Sequence, residues 1–117
     1  MRGDWGGGIR WDAHVRDGYR CVYCGLDGAV LKRWDLFTND HLVPEATGGP
    51  YTLLNVVTAC LGCNQIKSGF DPTDKGLDPL TEESRNRLIS RAKEYIEAHR
   101  KEWEADFQEM LREAQRL

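Results

Sequence analysis

The sequence predicts an α+β fold with a metal site at its centre and one long helix at its end. Three observations predict it. Four cysteines fall in two tight pairs, Cys21-Val-Tyr-Cys24 and Cys60-Leu-Gly-Cys63. Two short strand-like stretches, 31–40 and 55–59, lie between or beside those pairs. From Thr81 onward apolar residues recur at helical spacing, and neither glycine nor proline interrupts them.

The elements follow in order. Residues 1–8 are glycine-rich and read as a flexible tail. Ile9 to Val15 reads as a short helix with Ile9, Trp11 and Val15 as packing residues, closed by the Asp17-Gly18 turn. Arg20-Cys21-Val22-Tyr23-Cys24-Gly25 reads as a metal knuckle, its glycine letting the backbone turn back on the sulfurs. Leu31 to Asp40, with Trp34, Leu36 and Phe37, has strand content. Pro44 to Pro50, with Gly48-Gly49, is a loop. Asn55-Val-Val-Thr-Ala59 is a second, β-branched strand. Leu61 to Ser68 is a helix stopped by Gly69. Residues 81–117 form the long helix, with Thr81 as its cap and Glu82-Glu83 at its positive end. The organisation expected is a tail at 1–8, a metal-bearing domain at 9–78 and a helical extension at 79–117.

Composition limits the function classes. The chain has 117 residues, 40% hydrophobic and 30% charged, which suits one folded domain rather than a disordered segment. The first 80 residues are loop-rich and poor in aliphatic side chains, so a bound metal is needed to staple them. No apolar run is long enough for a membrane span. The N-terminal residues do not resemble a signal peptide, and cysteines paired for metal rather than disulfides point to the cytoplasm. A net charge of −3 disfavours a general nucleic-acid binder, so any such contact must use a local basic patch. Arg10, Arg16, Arg20, Lys32, Arg33 and Lys67 are the candidates.

Four thiols in two Cys-x-x-Cys pairs match a closed tetrahedral zinc site, which has no open position for catalysis. The bland alternative is two unrelated pairs of buried thiols. The 35 residues between the pairs, 25–59, hold Asp40-His41 and Asn55, and Asn64 follows Cys63 directly. A structural zinc site has no use for these four. A carboxylate and an amide can hold a hard cation through oxygen, and a histidine beside them can take a proton from water near neutral pH.

The run from Arg16-Asp-Gly-Tyr-Arg-Cys through Thr38-Asn-Asp-His-Leu-Val-Pro and Gly48-Gly49 to Asn55-Val-Val-Thr-Ala-Cys-Leu-Gly-Cys-Asn-Gln-Ile-Lys67 resembles the HNH endonuclease family. The resemblance covers roughly residues 9 to 72. It implies a ββα-metal core of two strands, a loop and a helix around one divalent ion. It implies hydrolysis of DNA phosphodiester bonds by a one-metal mechanism, leaving 5′ phosphate and 3′ hydroxyl ends. In that pattern His41 corresponds to the general base, and Asp40 and Asn64 to the ligands of a catalytic Mg²⁺ or Mn²⁺. Asn64 stands where the family often has histidine, and still offers an oxygen. Asn55 corresponds to the middle motif residue, either holding the loop that carries His41 or acting in catalysis directly.

Other residues carry weaker expectations. Lys67, three residues after Asn64 on the same helical face, is expected to contact a phosphate or else to be a solvated lysine. Arg16, Arg20 and Arg33 are weaker candidates for nucleic-acid contact, each more often plain surface charge. Tyr23, Trp34 and Tyr51 either stack on bases or pack in the core, with packing favoured. His14 and His99 lie on expected helices and are not expected to bind metal. The expected partner is duplex DNA held through its backbone, a contact that carries no sequence information. The long helix either packs across the domain or pairs with a second copy in a homodimer; packing in cis is favoured. The rival to the nuclease is a non-enzymatic zinc module that binds nucleic acid or protein. Such a module would need the cysteines but not Asp40, His41 and Asn64 together.

Overall fold

A computed structural model describes residues 8–116. The expected tail falls almost wholly, and Leu117 wholly, outside the described residues. Helix α1 spans Ile9–Arg16, α2 Gly28–Leu31, α3 Leu61–Lys67 and α4 Arg85–Arg116. Strands β1 (Phe37–His41) and β2 (Val56–Cys60) pair antiparallel, with Phe37 opposite Cys60 and His41 opposite Val56.

The hairpin is covered on both sides, which is why every residue of β2 is buried. Strand side chains alternate between faces. Thr58 and its cross-strand partner Asn39 turn toward α1, where the Thr58 hydroxyl bonds His14 Nδ1 at 2.8 Å. Val57 and its partner Asp40 turn the other way, toward α3. The apolar core joins Tyr23, Leu42, Val57, Ala59 and three of the cysteines to Leu88, Ala92 and Ile96 of α4.

The expected strand at 31–40 is corrected over its first half. Asp27 caps a turn of helix by accepting from the Ala29 and Val30 amides. That turn ends at Lys32, held in the left-handed region at φ 55°. A 3₁₀ turn at Trp34–Leu36 follows, and extended structure starts only at Phe37. Trp34 is 71% exposed, so it is no core residue, and neither is Tyr51 at 54%; Tyr23 is buried.

Helix α4 starts one turn later than its sequence pattern suggests. Thr81 Oγ1 accepts from the Ser84 amide at 3.0 Å, and Ser84 Oγ accepts from the Thr81 amide at 2.7 Å, a reciprocal capping pair. The helix packs on the core only through its first half, where Leu88, Ala92 and Ile96 are buried at i, i+4 spacing. Residues 101–116 are exposed throughout, including Trp103, Phe107 and Met110. Packing in cis therefore holds for half of the apolar stripe and fails for the rest.

Candidate functional site

The two cysteine pairs meet. The sulfurs of Cys21, Cys24, Cys60 and Cys63 all lie within 4.8 Å of one another. Cys24 and Cys60 sulfurs are 3.7 Å apart, matching the ~3.8 Å tetrahedral edge implied by Zn–S bonds of ~2.3 Å. Local chain geometry prepares this. The Gly25 amide bonds the Cys21 carbonyl at 2.9 Å, turning the first knuckle at a glycine with φ 80°. Cys60 ends β2 and caps α3, its sulfur accepting from the Cys63 amide at 3.4 Å. Packed this closely, the thiols cannot all ionise without a cation. Hydrogen bonds from Cys60 and Cys63 hold Cys21 far below the usual thiol range, and Cys21 in turn pushes Cys60 and Cys63 up. A divalent metal removes that conflict by stabilising every thiolate at once. The donor set and spacing fit such an ion.

Each half of the cysteine cluster also delivers one side chain to Asp40. Tyr23, between the cysteines of the first pair, donates its hydroxyl to Asp40 Oδ2 at 2.6 Å. Lys67, on the helix that Cys60 and Cys63 begin, puts Nζ 3.1 Å from the same oxygen. Both partners use Oδ2; Oδ1 has no hydrogen-bond partner among the described residues. Burial pushes the Asp40 carboxyl above its ordinary range, against the opposing pull of Lys67 and Tyr23. Burial and the Asp40 charge likewise push the Tyr23 hydroxyl well up, so it remains a donor.

The expected phosphate contact at Lys67 is corrected by this arrangement. Its side chain is 0% exposed, and its ammonium also donates to the His41 carbonyl at 3.0 Å. An ammonium enclosed between a carboxylate and a carbonyl has no free path to a phosphate. Arg20 and Arg33 do lie at the surface, each paired with a nearby carboxylate, Asp27 at 2.8 Å and Asp35 at 2.7 Å.

His41 ends β1 on the opposite face from Asp40, half-buried, its ring stacked at 5.9 Å on Tyr51. Neither the His41 ring nor the Asn64 side chain has a hydrogen-bond partner among the described residues. Asn64 is half-buried on α3, one residue beyond Cys63 and so ~100° round the helix from it.

Asn55 is fully buried, and its side chain does three things at once. Its Oδ1 accepts from the Val43 amide at 2.8 Å; its Nδ2 donates to the Val43 carbonyl at 3.0 Å and to the Pro50 carbonyl at 2.9 Å. These bonds pin both ends of the 43–50 loop directly after His41. Gly49 is required there, because a Cβ would lie 1.8 Å from the Val43 carbonyl oxygen. Gly48 turns at φ 94°. Arg16 closes the loop's return by donating to the Leu53 and Val56 carbonyls.

Sequence reasoning missed Tyr23 and Lys67 as supports of Asp40. The spacing of Tyr23 inside its cysteine pair was the one available signal. His14 and His99 hold structural places, His14 against Thr58 and Tyr19, His99 stacked on Tyr95 at 4.0 Å. No helix among the described residues is long and apolar enough to cross a membrane.

Residues 21–73 match a family model described as HNH endonuclease. That segment contains both cysteine pairs, Asp40, His41, Asn55 and Asn64. No match to the chain was found among curated proteins or solved structures.

Proposed function

We propose, from the match of residues 21–73 to a family model described as HNH endonuclease, that this chain hydrolyses phosphodiester bonds of DNA with His41 as general base. The observation that carries the reading is the loop after β1. Asn55 fixes its backbone at three points, and that order is spent directly beside a histidine whose ring has no hydrogen-bond partner. A purely structural histidine is normally satisfied, as His14 is by Thr58.

His41 accepts a proton from water as the water oxygen bonds to phosphorus. The bond from phosphorus to the 3′ oxygen breaks, and that oxygen takes a proton from solvent water, leaving a 5′ phosphate and a 3′ hydroxyl. The Tyr51 ring lies alongside the His41 ring, 5.9 Å between centroids. Tyr23 and Lys67 hold the Asp40 carboxylate by one oxygen and leave the other free for a ligand. Asn64 offers an amide oxygen from α3. A divalent cation such as Mg²⁺ or Mn²⁺, held by Asp40 and Asn64, would offset charge on the phosphate oxygens and the leaving group. The four cysteines would hold a zinc ion through all four sulfurs, a donor set that serves the fold rather than catalysis. Arg20 and Arg33 are the surface cations offered to the DNA backbone.

Side-by-side digestion of duplex DNA, single-stranded DNA and RNA, with and without Mg²⁺ or Mn²⁺, tests the substrate. Cation-dependent loss of duplex DNA is expected. Cutting of RNA with duplex DNA left intact would overturn the DNA assignment. A folded, zinc-loaded protein that cuts none of the three would instead support the non-enzymatic module.

A further inference from the structure

We infer that Arg100 is a positioning residue of the cysteine metal centre, tying α4 to Cys63 so that metal occupancy and docking of the helix support each other. The inference rests on the reading of the four cysteines as a metal site and not on the nuclease activity. Arg100 Nη2 donates to Cys63 Sγ at 3.0 Å. Cys63 is fully buried. Four thiolates around one divalent ion leave two negative charges in that interior, and a charged donor on sulfur offsets part of them. Among the described residues no other cationic side chain donates to a sulfur of the cluster.

The place of Arg100 on α4 gives the bond its reach. Leu88, Ala92 and Ile96 bury one ridge of the helix at four-residue intervals, and Arg100 is the next step of that ridge. The ridge therefore passes from apolar contact to a sulfur contact at its last docked turn. Beyond it, residues 101–116 are exposed. The metal centre thus sits where the helix leaves the domain, and the bond to Cys63 fixes that point of departure. Arg100 lies outside the matched segment 21–73, so the contact belongs to this chain's own extension. Hydrogen bonds to metal-bound ligands orient them and tune their donor strength. By linkage, a contact that favours the bound metal is itself favoured by it.

The test is competition for zinc between the full chain and a chromophoric chelator, using Arg100→Gln, Arg100→Lys and the exposed control Lys101→Gln. Arg100→Gln should raise the zinc dissociation constant about 10–100-fold. Arg100→Lys should fall between, and Lys101→Gln should match wild type. The second readout is the thiolate-to-metal charge-transfer band of the Co²⁺-loaded protein. Loss of the hydrogen bond makes the sulfur a stronger donor, so the band should move to lower energy in Arg100→Gln. Ile96→Ala loosens the helix without touching sulfur and should leave the band in place. Equal zinc affinity and an unmoved band in Arg100→Gln would overturn the inference; so would the same band shift in Ile96→Ala, which would make docking alone responsible. If Arg100→Gln does not fold, Arg100→Lys carries both readouts. A wild-type chain that binds neither zinc nor Co²⁺ would remove the metal centre itself, a failure separate from that of Arg100.

Discussion

Asp40 and Lys67 form the most deeply buried ion pair among the described residues, 3.1 Å apart with the lysine side chain wholly enclosed. Breaking a buried pair from one side leaves an uncompensated charge. Lys67→Met should therefore cost roughly 3–5 kcal/mol in urea denaturation, where a surface lysine would cost almost nothing. Asn55→Ala should cost about 2–4 kcal/mol, because the buried Val43 amide and carbonyl lose their partner together. His14 supplies a pH dependence. Burial is the main cause that lowers its pKa from 6.5, with Arg10 acting in the same direction. The unfolded chain therefore binds this proton at a pH where the folded chain does not. Its stability contribution is present above 6.5 and is lost as pH falls through the lower folded value. Thermal melts between about pH 7 and pH 5 should fall more steeply for wild type than for His14→Gln. The candidate residues themselves were legible in the sequence, since Asp40, His41, Asn55, Asn64 and the cysteines stand at recognisable spacings. Their supports were not. Nothing local marks Lys67 as buried, because its partner Asp40 lies 27 positions away and meets it only through the turn from β2 into α3.

Among the elements, α3 and β2 were readable from β-branched content and the Gly69 stop, whereas the first half of the stretch 31–40 was not. Trp34 and Leu36 have strand propensity, but the Asp27 cap and the left-handed Lys32 commit the backbone to short helical turns first. Periodicity made α4 plain while leaving its partner undefined. An apolar stripe looks the same whether it is covered or bare. The two halves of the helix should separate by mutation. Leu88→Ala removes a fully buried side chain and should cost about 2–5 kcal/mol. Phe107→Ser, on the exposed half, should leave the unfolding free energy within about 0.5 kcal/mol of wild type. A comparable loss for both would mean that the distal half packs somewhere after all.

At the scale of the whole molecule, the cysteine cluster is a structural hub. Three of its members belong to the apolar core, its first pair carries Tyr23 and its second begins the helix that carries Asn64 and Lys67. Removing the metal with a chelator should therefore collapse the thermal transition and expose Tyr23, not merely silence the protein. The central claim concerns His41, and a supercoiled plasmid nicking assay tests it most directly. Zinc-loaded wild type and His41→Ala are compared without added cation and then with Mg²⁺ or Mn²⁺. The account predicts cation-dependent nicking by wild type and its loss in His41→Ala, with the thermal transition and zinc content unchanged. Nicking that persists in a folded His41→Ala protein would contradict it.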